Sequence, residues 1–161
     1  MSISKLTRMN ISIGHLSLEE LREYLRKQAD DVFPSLKDGQ RLNMLAEKWF
    51  THAEFSVCRN DNGILVGVIV FYANHPEKEI AYIPHVYVNK EYRGTGLFFQ
   101  MLQKIDNYLV SLGFCQMRLE VQDDNKRALK AYQNYGFQID GKASESSIYM
   151  KCKIGTKPNL D

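Results

Sequence analysis

The sequence predicts an α+β fold. Three observations carry this reading. Four stretches place apolar residues at helical spacing. Six others have the alternation or the apolar continuity of strands. At the centre, a strand runs through Arg93-Gly94-Thr95-Gly96 straight into a helix.

The first helix is announced by Ser17-Leu18-Glu19-Glu20, a capping box in which hydroxyl and carboxylate satisfy free backbone N–H groups reciprocally. Leu18, Leu21, Tyr24 and Leu25 follow at helical spacing. The pattern breaks at Phe33-Pro34-Ser35-Leu36, and a second helix starts near Asp38. Its stripe is Leu42, Leu45, Ala46, Trp49, Phe50 and Ala53, with Trp49 and Phe50 expected in the core.

A hairpin comes next. Residues 54–59 form a short strand, Asn62-Gly63 signals a type I′ turn, and residues 64–72 are apolar enough for a strand buried on both faces. Another strand is expected over residues 79–89. It contains Pro84, which has no N–H for a ladder bond and belongs at an edge or bulge, yet Val86-Tyr87-Val88 reads as interior strand. A central strand that is locally unpaired reconciles the two, and its free backbone groups would be available to a ligand.

The helix after Gly96 buries Leu97, Phe98, Met101, Leu102, Ile105, Leu109 and Leu112 and stops at Gly113. A strand over residues 114–122 turns Leu119 and Val121 one way, Glu120 and Gln122 the other. Asp123-Asp124-Asn125 offers N-caps for a short helix with Ala128, Ala131, Tyr132 and Tyr135 on one face. Residues 137–139 and 147–154 read as closing strands. One domain over residues 1–154 and a flexible tail over 155–161 are expected.

Composition narrows the function. Of 161 residues, 44% are hydrophobic and 25% charged, which fits a folded domain and not a disordered chain. Twenty-one basic residues offset 19 acidic ones, so nothing points to nucleic acid. No apolar run approaches a membrane span, and the N-terminal residues lack a signal peptide's apolar stretch. Three cysteines (Cys58, Cys115, Cys152) at long spacings suggest neither a disulfide framework nor a metal knuckle, and four scattered histidines give no metal site. Cys58 and Cys115 read as small buried hydrophobes. The expectation is a cytoplasmic protein without a metal.

Arg93-Gly94-Thr95-Gly96-Leu97-Phe98 is a candidate anion cradle. Glycines let backbone approach a phosphate, and a helix N-terminus offers unpaired N–H groups and partial positive charge. Downstream, Asn125, Ala128, Tyr132, Gly136 and Phe137 form N-x-x-A-x-x-x-Y-x-x-x-G-F. These two blocks, in this order and about thirty residues apart, resemble the GNAT family of N-acetyltransferases over residues 54–150. The pattern departs at Phe98, where the family has Gly or Ala.

The resemblance implies α/β/α layers: a mixed, mostly antiparallel central sheet of 6–7 strands with about four helices, splayed between the fourth and fifth strands. It implies acetyl transfer from acetyl-CoA to a primary amine by direct attack through a ternary complex. Val86, Tyr87 and Val88 then match the strand that binds the pantetheine arm, and Arg93, Gly94, Thr95, Gly96, Leu97 and Phe98 match the pyrophosphate loop. Asn125 and Ala128 flank the arm, and Tyr132 matches the general acid. A phenol with a pKa near 10 stays protonated at neutral pH and can protonate a leaving thiolate.

The general base stays open between His85, Glu120 and a water chain. Tyr82 stands where some members carry a basic glutamate and is instead assigned to the acceptor pocket, with Phe33 and Pro34 of the interhelical turn. The expected partners are acetyl-CoA and a small-molecule amine, with a homodimer suggested by analogy. The alternative is a catalytically weak CoA-binding module with a regulatory role.

Overall fold

The computed structural model describes residues 9–31 and 33–156. The expectations for residues 1–5 and for 157–161 of the tail lie outside them. In chain order the elements are β1 (Asn10–Gly14), α1 (Leu18–Asp31), a 3-10 turn (Pro34–Lys37), α2 (Gly39–His52), β2 (Glu54–Arg59), β3 (Leu65–Tyr72), β4 (Ile80–Val88), a second 3-10 turn (Lys90–Tyr92), α3 (Leu97–Leu112), β5 (Gln116–Gln122), α4 (Lys126–Tyr135), β6 (Gln138–Lys142) and β7 (Ser147–Lys153).

Local chemistry sets these boundaries. The Ser17 Oγ accepts the Glu20 N–H at 3.1 Å, opening α1. The other half of the expected capping box is replaced, because the Glu20 carboxylate holds Arg59 at 2.5 Å. Asp38 Oδ1 accepts from Gln40 N–H at 2.9 Å, and Asn125 Oδ1 accepts from Ala128 N–H at 3.2 Å. Each such cap is worth about 1 kcal/mol.

Among the described residues, seven strands lie in the order β1-β2-β3-β4-β5-β7-β6, and only β4 and β5 run parallel. The sheet is mixed and mostly antiparallel, as expected. One face carries α1 and α2 over a core that includes Leu21, Leu25, Trp49 and Phe55. The other carries α3 and α4 over Met101, Ile105, Tyr135 and Met117. The α3 helix sits close to the sheet: a side chain at Gly67 would bring its Cβ to 2.6 Å from Met101 Sδ.

Several expectations are corrected. β1 was not foreseen, and it forms an edge of the sheet. Phe50 is 49% exposed rather than in the core, because α2 buries only Leu42, Ala46 and Trp49. In the β2–β3 turn only Gly63 has positive φ, so a type I′ turn, which needs two such residues, is excluded. Asn60 organises the turn instead, its Oδ1 accepting from the N–H groups of Asn62 and Ile64. Cys115 is exposed, while Cys58 is buried and its thiol pushed up to about 11. Gly155, the first residue of the expected tail, is tied down: its N–H donates to buried Asp106 at 2.8 Å.

Candidate active site

The site begins with a bulge. Val70 pairs with His85 and Tyr72 with Tyr82, so Ile83 and Pro84 together oppose Phe71 alone. Pro84 therefore occupies the position where a missing N–H costs least. On its other side β4 pairs with β5 only from Ile80↔Gln116 to Ile83↔Leu119. Beyond that point the strands part, and the β4 edge from 84 to 88 has no β5 partner.

The extra residue also flips the strand's faces. Ala81 and Ile83 face the core under α3. Simple alternation would send residue 85 there too. Instead Val86 and Val88 pack on that side, and His85 and Tyr87 turn towards α1 and α2.

The chain leaving β4 forms the next wall. Asn89 Oδ1 accepts the Glu91 N–H, starting the 3-10 turn that buries Tyr92. Thr95 Oγ1 donates to the Tyr92 carbonyl, closing the loop. Gly94 and Gly96 have φ of 73° and 84°, the left-handed region that glycine enters without strain. No side chain caps α3 at Gly96, and nothing lies within 4 Å of where its Cβ would stand. The first-turn N–H groups and open space above them suit an anion. Arg93 folds back so that its Nε–H donates to the Val88 carbonyl at 2.9 Å.

The far wall is α4. Tyr132 stands between two rings, 5.7 Å from Phe98 and 5.8 Å from Phe137 between centroids. Burial pushes its phenol up to about 12. The phenol therefore stays protonated throughout the neutral range.

These parts enclose one cleft of about 340 Å³. It gathers most of the expected binding residues: Val86, Tyr87, Val88, Arg93, Gly94, Gly96, Leu97, Phe98, Asn125, Ala128 and Tyr132. Thr95 supports the loop from outside the lining. Sequence reasoning missed four lining residues: Gln28, Tyr92, Arg127 and Ala131. Arg127 adds a second guanidinium-bearing residue to the lining that includes Arg93. Gln28 had a readable signal, a polar residue in the apolar stripe of Leu21, Tyr24, Leu25 and Ala29.

Five expected residues lie elsewhere. His85 is 5% exposed, with Nε2 2.6 Å from the Tyr24 hydroxyl and its ring 5.2 Å from Trp49 and 5.5 Å from Phe33. Burial pushes the imidazole down to about 4, so it is neutral at physiological pH. Phe33 belongs to this aromatic cluster, and exposed Pro34 opens the following turn. Glu120 is exposed on β5, just past the last β4–β5 pair. It accepts a hydrogen bond from Ser147 Oγ at 2.5 Å and lies opposite Tyr149 on β7. Tyr82 lies on the same sheet face. Its phenol is raised first by burial and then by the charge of Glu120.

Among the described residues no group of three or more His, Cys, Asp or Glu is placed to hold a metal ion, and no helix is long and apolar enough to cross a membrane.

The chain is similar to known proteins in sequence and in fold. The model of the Acetyltransferase (GNAT) family matches residues 18–137. The thialysine N-epsilon-acetyltransferase of Bos taurus is 30% identical over 128 residues, which span 75% of this chain and 74% of that protein. An uncharacterized N-acetyltransferase of Bacillus subtilis (strain 168), YdgE, is 27% identical over 141 residues, 86% of this chain and 82% of the relative. The PaiA N-acetyltransferase of Thermoplasma acidophilum, solved in complex with coenzyme A, has a TM-score of 0.67 at 18% identity, over 89% of this chain and 99% of its own. At that identity the likeness is one of fold. The chain belongs to the GNAT family of acetyltransferases.

Proposed function

We propose that the chain transfers the acetyl group of acetyl-CoA to the primary amine of a small molecule by direct attack in a ternary complex. One observation carries the proposal. The unpaired β4 edge, the uncapped N-terminus of α3 and the Tyr132 phenol all line a single cleft. Each suits a different part of the carrier. A strand edge can pair with an amide-bearing arm, and a helix N-terminus with two nearby guanidiniums suits a pyrophosphate. A protonated phenol suits the sulfur end.

In the net reaction a C–N bond forms, the C–S bond breaks, the sulfur gains a proton and the amine loses one. Tyr132 supplies the first proton. Glu120, whose carboxylate Ser147 orients at the mouth of the β4–β5 splay, accepts the second from the amine through water. His85 serves as a clamp between β4 and α1 and not as the base, because its Nε2 is engaged by Tyr24. Phe33, Pro34 and Tyr82 border the acceptor's approach. The name of the bovine relative, a thialysine acetyltransferase, supports an acceptor with a distal primary amine.

The test is release of free thiol from acetyl-CoA over a panel of amines: thialysine, lysine, diamines, spermine, amino sugars and basic peptides. Turnover with small amines is expected. Turnover confined to peptides overturns the small-molecule assignment. Binding of CoA by calorimetry without any thiol release identifies a non-catalytic CoA-binding module.

A further inference from the structure

Gln28 lies on α1, one turn past Tyr24, in a stripe that is otherwise apolar. Its side chain is only 5% exposed, and its Oε1 has no hydrogen-bond partner among the described residues. It borders the same cleft as the free β4 edge and Tyr132. A buried amide oxygen without a donor is costly, and folded proteins keep few of them. The oxygen itself is covered, so a ligand's N–H meets it once the Gln28 side chain turns into the cleft that the residue borders.

The side from which Gln28 approaches identifies that N–H. Helix α1 packs on one face of the sheet, with Leu21, Tyr24 and Leu25 in its core. Tyr132 and the start of α3 pack on the other. A ligand threaded between β4 and β5 is met by Tyr132 from one side and by Gln28 from the opposite side. On the acetyl-transfer reading, the amides of a pantetheine arm would pair with the backbone of the β4 edge that β5 leaves open. What remains to be held on the α1 side is the attacking nitrogen.

We propose that Gln28 Oε1 accepts a hydrogen bond from the acceptor's primary amine and holds the nucleophile across the cleft from Tyr132. The inference rests on the acetyl-transfer reading above. A neutral oxygen suits this task. It takes one N–H and leaves the nitrogen lone pair free to attack. A carboxylate at the same place would favour the ammonium form, which has no lone pair.

The test uses Gln28→Met, which keeps the shape and removes the acceptor, and Gln28→Glu, which can only accept but adds charge. Calorimetry measures CoA binding and then lysine or diamine binding to the enzyme–CoA complex, and steady-state kinetics follow with the same amine. Gln28→Met is expected to raise the amine Kd and KM about five- to tenfold, the loss of one neutral hydrogen bond. Its CoA affinity should stay within about twofold, since no CoA contact is removed. Gln28→Glu is expected to bind the amine at least as well as wild type. Its acid limb of kcat should move about one pH unit upward, because the bound amine holds its proton more tightly. A merely structural glutamine would not move that limb. Weakened CoA binding with unchanged amine KM overturns the proposal, as does a Gln28→Met enzyme with both unchanged. If Gln28→Met does not fold by circular dichroism, the pH limb of Gln28→Glu decides the matter alone. Absence of thiol release by wild type with every amine overturns the transfer reading and this proposal together. Normal wild-type turnover with an unaltered Gln28→Met overturns this proposal only.

Discussion

The Phe98 ring stands against the Tyr132 ring, 5.7 Å between centroids and inclined at 60°. Phe98 is the residue at which this chain departs from the small side chain usual in its family. Its bulk lies along the cleft wall and braces the phenol, while the backbone of the 93–98 loop keeps the glycine conformations an anion site needs. If that brace sets the phenol's position, Tyr132 and Phe98 should fail in different ways.

Tyr132→Phe keeps the ring between Phe98 and Phe137 and removes only the hydroxyl. As a lost general acid it should lower kcat by roughly 10²–10⁴-fold. Acetyl-CoA affinity and melting temperature should change little. Burial holds the phenol near 12, so its ionisation should produce no alkaline loss of kcat below about pH 11. Near-normal kcat in the variant would show that water or another group delivers the proton.

Phe98→Ala removes the brace and leaves the hydroxyl. The ring is half-buried, so the stability loss should be about 2 kcal/mol, at or below the usual range for buried Phe→Ala. The kcat should fall less than in Tyr132→Phe, and Phe98→Leu should recover most of it by refilling the wall. Denaturant titration and kinetics on the three enzymes check this. Equal losses in Phe98→Ala and Phe98→Leu would argue against packing as the cause.

Two variants of Gly96 separate charge from strain. Gly96→Glu puts a carboxylate where the N-terminus of α3 would receive an anion, and should weaken CoA binding at least about 100-fold. Gly96→Ala meets nothing within 4 Å, so its main cost is the φ of 84°, about 1 kcal/mol. It should bind CoA within a few-fold of wild type and melt a little lower. Unchanged CoA affinity in a folded Gly96→Glu protein would remove the loop from the binding site.

How far the sequence could be read depended on whether a signal was local. Ser17 caps α1 as expected, α2 follows the expected start at Asp38, and Asn125 is the one of three offered caps that serves α4; each acts within four residues. Pro84 within an apolar strand disclosed a break in pairing, and the bulge and splay are there. The consequence of that bulge was not legible. It reverses the faces of β4, so His85, adjacent to cleft-lining Val86, faces Trp49 and Tyr24. Nothing within residues 80–88 says on which side of Pro84 the extra residue falls. β1 escaped because Ile11 and Ile13 alone mark it, and its partner strand lies more than forty residues downstream. Gln28 was visible as a polar residue among apolar neighbours, but its unmet oxygen is a property of tertiary packing.

The buried His85 makes stability depend on pH, with a definite sign. In the unfolded chain its imidazole binds a proton below about pH 6.5. In the fold, burial among Tyr24, Phe33 and Trp49 delays protonation to about 4. Between these values the unfolded state holds more protons than the native one, so stability falls as pH is lowered through that window. A displacement from 6.5 to about 4 corresponds to roughly 3 kcal/mol, fully present above pH 6.5 and lost by about pH 4. Urea titrations at pH 7.5, 5.5 and 4.5 should show this decline. His85→Gln removes the titration and can still bond the Tyr24 hydroxyl, so its decline over the same range should be shallower by most of that amount. It should also cost about 1–3 kcal/mol at pH 7.5, through lost ring packing against Trp49 and Phe33. A wild-type stability that stays flat from pH 7.5 to 4.5, or a His85→Gln protein with the same slope, would mean that the imidazole takes up its proton inside the fold without resistance.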